Sequence, residues 1–284
     1  MSAHIVVFDS GVGGLSIVRE LDQYINHYQL SYLFDNALFP YGELSEEVLC
    51  QRVLSLLVPF CQYHHPDLLV VACNTASTIV LEPLRRYLAI PVVGVVPAIK
   101  PAAQRSINKV IGLLATPATV KRRYTDQLIT RFAPDCEVLR LGSSHLVQLA
   151  EQHLAGDLIS ATQLESILLP WLTLGARQPD TVILGCTHFP LIRDALQQVL
   201  GNSVYLVDSG QAVALRVLQL LKLHTAGCQS STREAYYTKK NAHSEQLRAS
   251  FEQFRFSQFT RLPDRLYAHW QDEPSACAAG ILGH

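Results

Sequence analysis

The chain has 284 residues, 49% of them hydrophobic and 17% charged, with a formal net charge of −1. At roughly 100–200 residues per domain that length fits two domains; the composition excludes a disordered chain, and the near-neutral charge excludes a general attraction for nucleic acid, which needs clustered Lys and Arg. No apolar run reaches the roughly 18–20 residues of a membrane span, and the seven scattered cysteines, with no Cys-x-x-Cys, fit a reduced cytoplasmic protein rather than a disulfide framework.

In chain order, Met1-Ser-Ala-His leads straight into an apolar run, Ile5–Phe8, read as the first strand; no basic region precedes it, so no signal peptide is expected. Asp9-Ser10-Gly11-Val12-Gly13-Gly14 follows, where glycines allow a tight turn and a close approach to a ligand. Counted from Gly11, the sixth position of a dinucleotide fingerprint is Ser16, and no Gly-Lys-Ser/Thr follows, so a phosphate cradle is unsupported. A phosphatase-like aspartyl nucleophile would want a second Asp at Gly11. The plain alternative is a structural turn with Asp9 capping a helix. Tyr32–Phe34 is the second strand and leads into Asp35 to Gly42, whose Pro-Tyr-Gly turn can present backbone amides and the Tyr41 phenol, though most such segments are only turns.

Ser45-Glu46-Glu47 opens a helix running to His65, with a cap residue and acids at its positive end. Val48, Leu49, Val53, Leu56, Leu57 and Phe60 recur at helical spacing, and Cys50 and Cys61 on it are read as packing. Strand Leu68–Ala72 ends on Cys73, followed by Asn74 and Thr75. Strand Val92–Val96 precedes Pro97 and Pro101, a crossing into a second domain. Val110–Ala115 and Glu137–Leu141 are further strands. Glu151 and His153 lie in a helix-like stretch and are expected on its solvated face. Strand Thr181–Leu184 ends at Cys186, followed by Thr187 and His188. Val204–Val207 and Asp208-Ser209-Gly210 mark the crossing back.

Short continuous apolar runs alternating with helical stretches fit parallel strands buried on both faces. The expected fold is α/β: two similar three-layer α/β domains with mostly parallel sheets, facing each other across an active-site cleft. The first comprises residues 1–97 plus 208–284, the second 98–207. Phe251–Phe259 and Ala276–His284 are expected to form an appended helix or a loose terminus.

Two echoes support paired halves. Leu68 to Thr75 resembles Thr181 to His188: an apolar strand, a small residue, Cys, then two polar side chains. Val7 to Gly11 resembles Leu206 to Gly210. A lone cysteine is most often a packed apolar residue, but two in matched settings, each where a strand ends and a helix is expected to begin, are candidates for activated thiols. Cys136, Cys228 and Cys277 lack such a setting. His64-His65 is not metal spacing, no other zinc-type set is present, and no lysine sits in a recognisable Schiff-base motif, so neither metal nor other cofactor is expected.

With these motifs the sequence resembles the glutamate racemase family. The matching segments are Phe8 to Ser16, Asp35 to Gly42, Ala72-Cys-Asn-Thr-Ala-Ser77, Ala115-Thr-Pro-Ala-Thr119, Gly185-Cys-Thr-His-Phe-Pro-Leu191 and Val207-Asp-Ser-Gly210, in the family's order over about three-quarters of the chain. The resemblance implies cofactor-independent interconversion of L- and D-glutamate in the cytoplasm, supplying D-glutamate for peptidoglycan. It carries over Cys73 and Cys186 as catalytic, and Asp9, Ser10, Tyr41, Gly42, Asn74, Thr75, Thr187 and His188 as substrate-binding or assisting. Thr116, Thr119, Asp35 and Glu151 come as supporting residues, Glu151 as an acid near His188. The small-molecule substrate is the expected partner, without membrane or direct nucleic-acid binding, in a monomer or homodimer. Some relatives carry an N-terminal extension linked to activation by a wall precursor; here the first strand starts almost at Met1, which sets that regulation apart.

An ordinary cysteine pKa is about 8.5, so some depression is expected near neutrality, from helix N-termini and His188; Asp9 beside Cys73 would work the other way. Three alternatives have distinct signatures. An aspartate or other amino-acid racemase would use the same cysteine pair. A cysteine hydrolase would pair Cys186 with His188, whose i, i+2 spacing on a strand would point them to opposite sides. A two-lobed binding protein would hold a ligand without turnover.

Overall fold

The protein is described by a computed structural model over residues 2–221 and 231–267. Successive residues of a strand point to opposite faces, and here both faces are apolar. Ile5 and Val7 of strand β1 (His4–Asp9) join one core with Leu30, Tyr32, Leu68 and Val70. Val6 and Phe8 join another with Leu33, Leu69 and Val71. Burying such a side chain contributes about 1.5–3 kcal/mol, which is why these strands take both-sided cover.

The remaining strands among the described residues are β2 (Gln29–Phe34), β3 (Leu68–Val71), β4 (Val92–Gly94), β5 (Val110–Ala115), β6 (Glu137–Gly142), β7 (Thr181–Leu184), β8 (Tyr205–Val207), β9 (Arg233–Tyr237) and β10 (Gln258–Arg261). They form two all-parallel sheets, ordered β10-β9-β2-β1-β3-β4 and β6-β5-β7-β8. The helices are α1 (Leu15–Tyr24), α2 (Glu46–His64), α3 (Asn74–Tyr87), α4 (Ile99–Arg105), α5 (Pro117–Lys121), α6 (Arg123–Phe132), α7 (Ser144–Leu154), α8 (Ala161–Leu172), α9 (Arg193–Leu200), α10 (Gly210–Leu221) and α11 (Ala242–Gln253). In the larger sheet α1, α10 and α11 cover one face and α2 and α3 the other; in the smaller sheet α7, α8 and α9 oppose α4 and α6. The class is thus two three-layer α/β bodies with parallel sheets. We propose that the domain divisions fall at residues 97 and 208, where the chain passes between the sheets.

Helix α2 begins as its sequence directs: Ser45 Oγ accepts a hydrogen bond from the Val48 amide, with Glu46 and Glu47 in the first turn. It ends at His65 in the left-handed region, whose amide bonds back to Cys61 O. Cys50 and Cys61 are buried among its packing residues.

Phe251–Phe259 is neither an appended helix nor a loose terminus. Phe251 lies in α11, packed in the core of the larger sheet beside Phe34 and Tyr32, and Phe259 lies in β10, an added parallel strand. Strands β9 and β10 are absent from the sequence-based expectation. β9 alternates buried and half-buried residues and β10 is a mostly exposed edge, so neither shows the continuous apolar run that marks a central parallel strand. Lys222, Cys228, Cys277 and Ala276–His284 lie outside the described residues.

Candidate active site

Parallel strands aim their C-terminal ends at one edge, where open α/β sheets place ligands. β1 ends there at Asp9, Cys73 and Cys186 follow just beyond the ends of β3 and β7, and Thr187 and His188 lie in the turn with Cys186. All five are buried. Thr187 Oγ donates to Asp9 Oδ2 at 2.8 Å, and the Val12 amide donates to Glu151 Oε2 at 3.0 Å. These bonds join the ends of the two sheets.

Around Cys73, Ser10 Oγ lies 3.8 Å from the sulfur and donates to Asp9 Oδ1 at 3.4 Å. Asp9 Oδ1 also accepts from the Gly11 amide at 2.9 Å. Asp9 therefore braces its own turn instead of capping α1, which begins after Gly14 with no side-chain cap. Burial raises the Asp9 pKa against the His188 charge and the bonds from Gly11 and Thr187. Cys73 is the N-cap residue of α3, as expected for a thiol at a helix start. The expected depression does not follow. Burial and then the Asp9 charge push Cys73 up to about 12, outweighing the Ala76 amide and Ser10.

In the substrate-free protein, iodoacetamide should alkylate Cys73 slowly at neutral pH, with the rate rising about tenfold per pH unit toward 12, since only the thiolate reacts. Mass spectrometry of the Cys186→Ala variant measures it. A plateau reached near pH 8 would show that burial and Asp9 do not govern this thiol.

The Cys186 wall differs. No α-helix starts there: residues 186–188 form a turn, a short 3-10 segment spans Phe189–Ile192, and α9 begins only at Arg193. Because this is a turn and not a strand, Cys186 and His188 are not on opposite sides; Sγ lies 3.7 Å from His188 Nδ1. His188 Nε2 reaches Glu151 Oε2 at 2.6 Å. Glu151 is buried, contrary to the solvated-face expectation, while His153 is exposed. Burial opposes charge on both partners, yet their mutual bond and the neighbouring Cys186 and His243 outweigh it. His188 is held well above the ordinary histidine value and Glu151 down to about 2. The pair is a buried imidazolium–carboxylate, worth keeping only because it is paired.

The glycine turn makes its close approach to protein. A Cβ on Gly13 would sit 2.4 Å from His188 Nδ1 and 2.5 Å from Thr187 Oγ; one on Gly11 would sit 2.6 Å from Glu151 Oε2. The turn after β1 is thus closed against the Cys186 wall.

Asn74, Thr75, Thr116 and Thr119 form a third group. Thr75 Oγ lies 3.0 Å from Thr116 Oγ and 3.3 Å from Thr119 Oγ, and Thr116 Oγ lies 3.0 Å from Thr119 Oγ. Asn74 Oδ1 is buried with no hydrogen-bond partner. Gly42 lies against Thr116, 2.9 Å from its Cβ when given one of its own. The Tyr41 phenol, offered by sequence as a ligand contact, donates instead to Asp35 Oδ2 at 2.8 Å. Asp35 also takes two bonds from Arg52 at 2.8 Å and one from Thr238 Oγ at 2.6 Å. Asp35 is thereby a brace under the Tyr41 turn. Sequence reasoning missed Arg52 and Thr238; the helical face carrying Arg52 held a signal, since it is a lone cation within the apolar stretch of α2.

Chemically, the site offers two thiols in different settings. One lies beside a carboxylate and a hydroxyl at a helix start. The other faces an imidazolium. Among the described residues, no group of three or more His, Cys, Asp or Glu side chains could hold a metal ion.

Residues 6–217 match the family model described as Asp/Glu/Hydantoin racemase. The glutamate racemase of Salmonella typhimurium is 48% identical over 260 residues, 91% of this chain and 92% of that protein. A Shewanella glutamate racemase is 51% identical over 246 residues, covering 84% and 89%. The crystal structure of Escherichia coli glutamate racemase in complex with L-glutamate and the activator UDP-MurNAc-ala superposes with a TM-score of 0.87 at 44% identity, over 92% of this chain and 98% of that one.

Proposed function

The chain belongs to the Asp/Glu/Hydantoin racemase family, and we propose that it interconverts L- and D-glutamate by passing a proton between Cys73 and Cys186 on opposite faces of the substrate's α carbon. It is an isomerase; the finer assignment rests on one observation. Two strand-end thiols stand on the two walls joined by the Thr187–Asp9 bond, each with its own polar partners.

Racemisation removes a proton from one face and delivers another to the opposite face, which a single base cannot easily do. One thiol acts as thiolate while the other is protonated, and the roles exchange with direction. For Cys186, His188 supplies a cation 3.7 Å from the sulfur. For Cys73, the opposing charge comes with the substrate: its ammonium, bound at Asp9 and Asn74 Oδ1, offsets the Asp9 charge that holds this thiol up. Backbone amides at the start of α3 and the Thr75, Thr116 and Thr119 hydroxyls suit a carboxylate, and the amides of the Tyr41-Gly42 turn suit the second. The D-glutamate formed would serve peptidoglycan synthesis.

The test is isotopic. In deuterated water, product formed early from either enantiomer should carry deuterium at the α carbon, while unreacted substrate carries almost none, because the donor thiol has exchanged with solvent before it delivers its proton. Early product that is largely unlabelled would point to one shared base. Turnover of aspartate at rates matching glutamate would overturn the substrate assignment instead.

A further inference from the structure

Helix α11 packs on the larger sheet yet reaches across to α7 at two points. His243 Nε2 lies 3.7 Å from Glu151 Oε1. Seven residues and two turns on, Ser250 Oγ donates to Leu154 O. The other Glu151 oxygen holds the Val12 amide at 3.0 Å and His188 Nε2 at 2.6 Å. One buried carboxylate therefore stands between two imidazoles. The inner one faces the Cys186 sulfur at 3.7 Å; the outer one is a third exposed, its side chain 33% accessible.

We propose that His243 is a positioning residue of the racemisation: through the shared Glu151 carboxylate it sets how firmly His188 keeps the proton that it exchanges with Cys186. The proposal rests on the reading of Cys186 as one of the two acid–base thiols. In the step concerned, the His188 Nδ1–H bond breaks and an S–H bond forms, and the pair passes from imidazolium and thiolate to imidazole and thiol. The reverse transfer restores it.

The direction follows from charge sharing in a site screened from water. Glu151 stabilises the imidazolium of His188. When His243 is protonated, a second imidazolium beside the other Glu151 oxygen draws part of that negative charge and loosens the carboxylate's hold on the first. The charged groups that bear on His243 are Glu151 on α7 and Asp157 in the turn after it. The neighbouring Glu151 carboxylate raises the His243 pKa, partial burial opposes, and the charge of Asp157 adds to the rise. With His243 removed, His188 keeps its proton more firmly and transfer to Cys186 slows.

The experiment compares wild type with His243→Gln, His243→Ala and Ser250→Ala. Steady-state kinetics are measured in both directions, and the His188 imidazole nitrogens are followed by NMR across pH. Both His243 variants should lose about three- to tenfold in kcat, the effect of a half to one pK unit, while KM changes less than about twofold because His243 touches no substrate. His188 should titrate at higher pH in both. Ser250→Ala, which removes the other bond between α11 and α7, should leave kinetics and titration as in wild type. An unmoved His188 titration in the His243 variants would overturn the proposal. So would the same changes in Ser250→Ala, which would trace them to a loosened α11. The titration needs no turnover, so it decides the role of His243 even if Cys186→Ala retained racemisation and the two-thiol reading fell.

Discussion

Cys73→Ala and Cys186→Ala should each lower kcat/KM for glutamate by about 10⁴-fold, the upper range for loss of a positioned acid or base, with the fold intact. Both sulfurs are nearly buried, yet their side-chain polar contacts are long, 3.8 Å to Ser10 Oγ and 3.7 Å to His188 Nδ1, so truncation removes little that holds the chain together. On the two-thiol reading, each single variant keeps a proton donor or acceptor on one face alone. Cys50→Ala and Cys61→Ala are the controls. Both cysteines lie on α2 and pack in the core of the larger sheet, and removing one sulfur there should cost about 1 kcal/mol of stability and leave turnover near wild type. Optical rotation of L-glutamate and thermal melts of the four variants measure this. Near-normal turnover in a folded Cys73→Ala or Cys186→Ala protein would end the two-thiol assignment.

The parts of this site that the sequence disclosed are those placed by local rules. Central parallel strands announce themselves as short apolar runs, so the ends of β1, β3 and β7, and the residues just beyond them, could be located. The Asp-Ser-Gly echo is structural too: the Gly11 amide donates to Asp9 Oδ1 at 2.9 Å and the Gly210 amide to Asp208 Oδ1 at 2.8 Å. Glu151 shows where such reasoning stops. A carboxylate in an amphipathic helix reads as solvated, and it is buried here only because His188, Val12 and His243 converge on it from three distant segments. Thr238 directly follows β9 and His243 lies in the first turn of α11 after it, and β9 alternates buried and half-buried residues with no continuous apolar run to mark it. The setting of Cys186 was misjudged for a related reason. A strand followed by a polar pair does not disclose whether a helix or a turn comes next, and the turn is what brings His188 back to the sulfur.

Gly13→Ala should cost about 10²-fold in kcat/KM, the scale expected when reacting groups are displaced by about 1 Å. Gly13 has no unusual backbone conformation; its requirement is space. The added methyl would sit 2.4 Å from His188 Nδ1 and 2.5 Å from Thr187 Oγ, so the turn after β1 must withdraw or His188 must move. Withdrawal breaks the Thr187–Asp9 and Val12–Glu151 bonds that close the two walls. Movement of His188 separates its ring from Cys186 or Glu151. Either outcome acts on both thiols, because the clash lies where the walls meet. Overpacking of this kind destabilises by about 1–3 kcal/mol, and its source can be located with a double-mutant cycle. Gly13→Ala should lower the melting temperature in the wild-type background and far less in a protein already carrying Thr187→Ala and His188→Ala, where the colliding atoms are gone. Equal losses in the two backgrounds would trace the defect to the backbone of the turn, and turnover within about twofold of wild type would show that the walls do not need this closure for the chemistry.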